Sequence, residues 1–232
     1  MEASAIAPSP ADTHQIHAEN GIGVAKVRAL VLKLLIGNHL YAVRPEVGDI
    51  GVESAPGKTM IRHMTIRPAL LRDAHAIARI YVESWRSAYQ GILPRRYLAG
   101  LSIEQTLRSV RRNLTNSLTS YLIAEGDPGV VGYISAGAER EQDPIYAAEI
   151  YELYLLPDMQ RQGLGKELLA HMAGRLYREG FYTLMAWVLT RNPSRRFYEK
   201  CGGIYLRTKP ILHAGRRLQT DAYGWIDITL AI

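Results

Sequence analysis

Cysteine is nearly missing from this chain: Cys201 is the only one in 232 residues. A single thiol makes no intramolecular disulfide and no cysteine-based zinc site, so the fold must be held by its core. That fits a reducing compartment, and a cytoplasmic location is the expectation. A secretory leader is lacking too, because the opening MEASAIAPSPAD has no basic stretch followed by an apolar one. Long apolar runs are also absent. The most apolar stretch, Val27 to Val43, is broken by Arg28, Lys33, Asn38 and His39 and is too short to span a bilayer. Its Val27, Leu30, Val31, Leu34 and Leu35 recur at helical spacing, which reads as an amphipathic segment.

What remains is ordinary for a globular protein: 47% hydrophobic and 22% charged residues, enough for one domain with a sizeable core. The net charge is +6. Residues 1–62 carry six basic side chains (Lys26, Arg28, Lys33, Arg44, Lys58, Arg62) and six acidic ones (Glu2, Asp12, Glu19, Glu46, Asp49, Glu53), so the excess lies beyond them. Such a balance suits a polyphosphate ligand or nucleic acid. The candidate for nucleic acid is the patch Arg108, Arg111 and Arg112, with no recognition motif around it. Neither nucleic acid nor membrane is an expected partner, and His14 with His17 is too sparse for a metal site, so no metal is expected.

Residues 1–63 read as an N-terminal extension, flexible or partly helical, or as residues upstream of a start at Met60 or Met64. The domain is expected over 64–230. Thr65–Pro68 reads as a strand stopped by proline, and Ile77, Ile80, Tyr81, Ser84, Trp85 and Ala88 mark one face of a helix from Arg72 to Tyr89. Gly91-Ile92-Leu93-Pro94 breaks it. Ser102 and Gln105 have capping-box spacing and start a second helix. Strands follow over Ser120–Ala124 and Val130–Ala136, joined by a tight polar link, and then over Ala148–Leu156. Leu164, Leu168, Leu169, Met172, Leu176 and Tyr177 form the apolar face of a helix stopped by Gly180. A strand over Tyr182–Leu189, a short helix over Asn192–Lys200, and strands over Ile204–Thr208 and Asp221–Ile228 complete the order β-α-α-β-β-β-α-β-α-β-β. The fold class is α/β with a mixed sheet.

The turn Gln160-Arg161-Gln162-Gly163-Leu164-Gly165 lies where a strand enters a helix. Free N–H groups and the helix dipole make such a turn an anion site, and glycines without a β-carbon let a phosphate approach the main chain. Arg161 and Lys166 add positive charge. It is not a P-loop, because Glu167 stands where Ser or Thr would hold magnesium. The third glycine of a dinucleotide fingerprint is missing as well. A plain β-α turn stays open on these residues alone.

Its neighbours narrow the choice. Preceded by Glu149-Ile150-Tyr151-Glu152-Leu153-Tyr154-Leu155-Leu156-Pro157 and followed by Asn192-Pro193-Ser194-Arg195-Arg196-Phe197-Tyr198-Glu199-Lys200-Cys201-Gly202-Gly203, the turn closely resembles the GNAT superfamily of N-acetyltransferases, in its bacterial acetyl-CoA-dependent members. The resemblance covers Met64 to Ile228. It implies a mixed sheet of six to seven strands flanked by helices, with splayed middle strands that make a slot for the pantetheine arm. It implies acetyl-CoA as co-substrate, its pyrophosphate wrapped by Gln160, Arg161, Gln162, Gly163, Leu164, Gly165 and Lys166, with Asn192 and Arg196 as further contacts. Direct transfer to the primary amine of a small molecule or peptide is the implied reaction. The Leu155 N–H then faces the thioester oxygen, Tyr198 protonates the leaving thiolate, and Glu149 is the first choice of base, with Glu152 the second. Strand alternation puts Glu149, Tyr151, Leu153 and Leu155 on one face and Glu152 and Tyr154 on the other, unless a bulge intervenes. Trp85 and Tyr89 are candidates for an acceptor pocket with aromatic faces for a cation, and Tyr223 and Trp225 are placed to close it. A catalytically weak acyl-CoA-binding or sensing protein on the same fold would keep the phosphate turn without needing Glu149 or Tyr198. A homodimer is compatible with the sequence.

Overall fold

The structure, a computed structural model, describes residues 64–127 and 129–231; the readings made for residues 1–63 lie outside the described residues. Seven strands, β1 (Thr65–Pro68), β2 (Thr119–Gly126), β3 (Gly129–Ala138), β4 (Ala148–Leu155), β5 (Leu184–Leu189), β6 (Ile204–His213) and β7 (Arg216–Trp225), form one sheet in the order β1-β2-β3-β4-β5-β7-β6. Helices α1 (Ala74–Ala88), α2 (Arg95–Ala99), α3 (Ile103–Leu114), α4 (Leu164–Arg178) and α5 (Arg195–Lys200) flank it. The described helices include none long and apolar enough to cross a membrane.

Alternation along the strands builds two cores. On one face Leu122, Ala124, Ile134, Ala136 and Ile150 meet Leu168, Leu169, Met172 and Leu176 of α4, whose i, i+4 spacing makes one stripe. On the other, Tyr121, Ile123 and Tyr133 meet Ile77 and Ile80 of α1 and Leu107 and Val110 of α3. The entry into α1 is pinned by a two-pronged pair, Arg67 Nη1 and Nη2 donating to Asp73 at 2.8 and 3.0 Å. Ser102 caps α3, its Oγ accepting from the Gln105 N–H at 3.4 Å.

The middle of the sheet is its weakest seam. β4 and β5 run parallel and pair at Ala148↔Leu184, Glu149↔Met185 and Ile150↔Ala186, and no further. From Tyr151 onward β4 stays on β3 while β5 stays on β7, so the splay implied by the resemblance is present.

Two elements differ from the sequence reading. The short helix α2 follows Pro94 directly, and it buries Leu98 against Trp85 and Ile92; five residues are too few for a periodic signal. The last two strands form a hairpin much longer at its tip than expected, turning at Ala214 and Gly215, both with positive φ (50° and 71°). Pro210 lies within β6, which is the sheet edge, where a missing N–H costs no ladder bond.

Candidate active site

β4 positions the site through one extra residue. Its register on β3 slips between Ser135↔Glu152 and Ala136↔Ile150, leaving Tyr151 unopposed. This bulge cancels the expected alternation: Glu149, Glu152 and Tyr154 share the face of Tyr133 and Ser135, toward α1 and α3. Leu153 and Leu155 turn to the α4 face. The Leu156 N–H donates to Val131 O at 2.9 Å, so by the alternation of an antiparallel ladder the Leu155 N–H and C=O point away from β3 and into the splay. The Leu155 carbonyl there accepts from Gln160 Nε2 at 3.1 Å and Ser84 Oγ at 3.3 Å.

Where the splay meets α4, Arg161 (φ 60°) and Gly163 (φ 90°) both take left-handed conformations. Gly163 is the cap residue, and the Lys166 and Glu167 N–H groups both reach its carbonyl, at 2.9 and 3.2 Å. The N–H groups of Leu164 and Gly165 precede that first helical bond and remain donors for an anion. Gln162 Nε2 donates to Asp158 O at 2.7 Å and shapes the turn from within. Gly165 has a packing reason of its own. A β-carbon there would stand 3.2 Å from the Phe197 ring and 3.5 Å from Leu155 Cδ1, so its smallness serves packing of α5 on the turn.

The two glutamates have opposite surroundings. Glu149 is 2% exposed and held by Arg140, whose Nε donates at 3.0 Å and whose Nη2 and main-chain N–H add further bonds. Glu152 has no ion-pair partner among the described residues; Ser135 Oγ lies 3.3 Å from its Oε2. Burial pushes the Glu152 carboxyl above the ordinary range, opposed by the Tyr133 and Ser135 hydroxyls and by Arg140. Its charge is felt by Tyr81, Tyr89, Tyr121, Tyr133 and Tyr154. Tyr81 meets Tyr154 edge-on at 5.7 Å and stacks on Trp85 at 5.0 Å. The Tyr89 hydroxyl lies with the Tyr154 hydroxyl and the buried Asn192 amide. Tyr198, on α5, is raised well above a free tyrosine, first by burial and then by Tyr89. It therefore keeps its proton at neutral pH.

Residues 74–203 match the model of the acetyltransferase (GNAT) family. The chain belongs to that family. It is 35% identical over 167 residues to the uncharacterized N-acetyltransferase YuaI of Bacillus subtilis, covering 72% of this chain and 95% of the relative. The L-amino acid N-acyltransferase MnaT of Escherichia coli is 27% identical over 172 residues, 72% of this chain and 91% of that one. Among solved structures, the acetyltransferase yncA of Salmonella typhimurium with its cofactor acetyl-CoA superposes with a TM-score of 0.54 at 26% identity, covering 70% of this chain and 92% of its own.

In this N-acetyltransferase the residues expected from sequence do not all converge. Leu155 and Gln160 meet at the Leu155 carbonyl, while Tyr89 lies with Tyr154 and Asn192 and its charge would reach Tyr198. Arg161, Lys166 and Arg196 are exposed on the side of the turn and α5. Trp85 is 9% exposed, packed between Tyr81 and Tyr89, with its indole N–H unpartnered among the described residues. Tyr223 and Trp225 do not close the acceptor side. They lie on the opposite face, where Tyr223 stacks on Tyr198 and the Trp225 indole donates to Cys201 O at 2.8 Å. Their place is taken by His213 at the hairpin tip, 5.5 Å from Trp85 and 5.2 Å from Tyr97 between ring centroids. No sequence signal marks His213, because only the length of the hairpin brings it there. Tyr133 and Ser135 were likewise hidden: as residues of an apolar strand they read as core.

Proposed function

We propose that this N-acetyltransferase moves the acetyl group of acetyl-CoA to the primary amine of a small molecule or peptide by direct attack. The observation that carries the reading is the splay itself, with the free edge of Leu155 on one side and Tyr198 on the other. The free N–H groups of Leu164 and Gly165 suit the pyrophosphate, and Arg161, Lys166 and Arg196 supply outer positive charge. The bulge at Tyr151 favours Glu152 over Glu149 as base, since Glu149 is already committed to Arg140.

The chemistry follows from these groups. Glu152, kept unpaired and harder to ionise than a free carboxylate, takes a proton from the bound ammonium and passes it to solvent. The neutral amine attacks the thioester carbon, and the Leu155 N–H stabilises the charge that gathers on the carbonyl oxygen. As the C–S bond breaks, Tyr198 donates its proton to the sulfur and recovers one from the new amide nitrogen. One proton is released for each acetyl group transferred. A thiol-release assay with acetyl-CoA and a panel of primary amines tests the reading. Acetyl-CoA-dependent release with at least one amine, matched by an acetylated product in the mass spectrum, is expected. No release with any member of the panel sinks it.

A further inference from the structure

Sunken carboxylates in this fold come with their own cations. Asp73 has Arg67 at 2.8 Å, Asp143 has Arg207 at 2.7 Å, Asp221 has Arg195 at 3.4 Å, and Glu149 has Arg140. Glu152 differs among the described residues: it is half-buried, opposite Ser135 on β3 and next but one to Tyr154 on its own strand, and no lysine, arginine or histidine pairs with it. Arg140 is the cation whose charge reaches it, and Arg140 is engaged with Glu149. A half-buried carboxylate without an ion-pair partner is less favourable than one matched by a cation. Here the missing partner is what a ligand can bring.

We propose that the acceptor is an aliphatic ammonium ion bearing no carboxylate on its amine-bearing carbon, with Glu152 as its counter-charge. The proposal rests on the acetyl-transfer reading above and names the acceptor class for the same site. Three features support it. The ammonium supplies the charge that Glu152 lacks. The rings of Tyr81 and Tyr154, edge to face at 5.7 Å, and the Tyr89 hydroxyl beside Tyr154 offer π-faces and hydroxyl oxygens, which suit a cation on a short alkyl chain. Among the described residues no further cation contacts Glu152 to offset a second negative charge: an α-amino acid would set its own carboxylate beside Glu152 while Arg140 is held by Glu149. Like charges in a site of low polarity repel strongly. An L-amino acid, the acceptor named for the Escherichia coli relative, is thus the class that this shell rejects.

The test uses two molecules that differ only in that carboxylate, n-butylamine and L-norvaline. With the full chain and saturating acetyl-CoA, kcat/KM by thiol release is expected to be at least about 30-fold higher for n-butylamine. Titration of the CoA-loaded protein should show the same order in affinity. In Glu152→Gln the affinity preference should shrink to within about threefold, because the charge that discriminates is gone. L-Norvaline equal to or better than n-butylamine overturns the proposal, as does a preference that survives in Glu152→Gln. Failure of the wild type to bind or acetylate n-butylamine also overturns it, whatever the variant does. Acetyl-CoA titration in the same samples separates the two levels. A protein that binds acetyl-CoA and acetylates L-norvaline loses only the acceptor class, whereas one that binds no acetyl-CoA loses acetyl transfer itself.

Discussion

Glu149 and Glu152 leave the same face of one strand although they stand three residues apart, because Tyr151 is an extra residue in the ladder. Without that residue the two carboxylates would point to opposite sides of the sheet. With it, one is neutralised by Arg140 and the other stands among tyrosines above the splay.

Replacing Glu152 by glutamine removes a proton acceptor while keeping shape. Turnover is expected to fall by about 10²–10⁴-fold, the usual worth of a general base, with acetyl-CoA affinity unchanged. The pH profile carries the sign. Glu152 must be ionised to accept a proton and its carboxyl is raised, so wild-type kcat/KM falls as pH drops through a value above the ordinary glutamate range. That acid limb should vanish in the variant.

Glu149→Gln separates structure from chemistry. It removes the negative charge that accepts from Arg140 in a nearly buried ion pair, which is expected to cost about 2–3 kcal/mol, discounted for the partial exposure of Arg140. Thermal unfolding should shift down by about 5–10 °C. Turnover per folded molecule should stay within a few-fold of wild type. A hundredfold loss of turnover with an unchanged Tm would return the base role to Glu149.

Tyr198→Phe keeps the ring that stacks on Tyr223 at 6.1 Å and removes only the hydroxyl. Turnover should drop about 10²-fold while the dissociation constant for acetyl-CoA, read by calorimetry, changes less than about threefold. A thioester whose leaving thiol has a lower pKa should recover part of the lost rate, since it needs the proton less.

Gly163 and Gly180 make a matched pair at the two ends of α4: both have φ 90°, and a β-carbon on either meets nothing within 4 Å. Alanine at each should cost a similar amount of stability, about 1–2 kcal/mol, from left-handed strain alone. Only Gly163→Ala distorts the phosphate turn. Its acetyl-CoA affinity should fall about tenfold or more, and that of Gly180→Ala should not move.

Much of this was legible in the sequence because the signals are local. The apolar stripe Leu164–Leu176 and the turn Gln160–Gly165 are short-range patterns, and both cores follow from strand alternation. The bulge at Tyr151 is written nowhere in its own segment, because it exists only relative to β3. The alternation rule allows for a bulge but gives it no position. His213 was out of reach for the same reason: it stands ten residues beyond Gly203, where the motif ends, and only the pairing of β6 with β7 brings it to the site. The wrong side assigned to Tyr223 and Trp225 reflects a strand whose register on β5 had no sequence marker.

The three-pair seam between β4 and β5 has a mechanical meaning. Strands β1–β4 form one plate and β5, β7 and β6 another, and the sheet itself scarcely transmits load between them. What joins the plates is the apolar underside of α4, which packs on Leu122 and Ile134 of one and Leu184 and Ala186 of the other, with Trp225 and Ile228 filling the end. The helix that offers its N-terminus to the cofactor is thus also the strut across the joint, so a ligand gripping that end bears on the angle at which both plates are held.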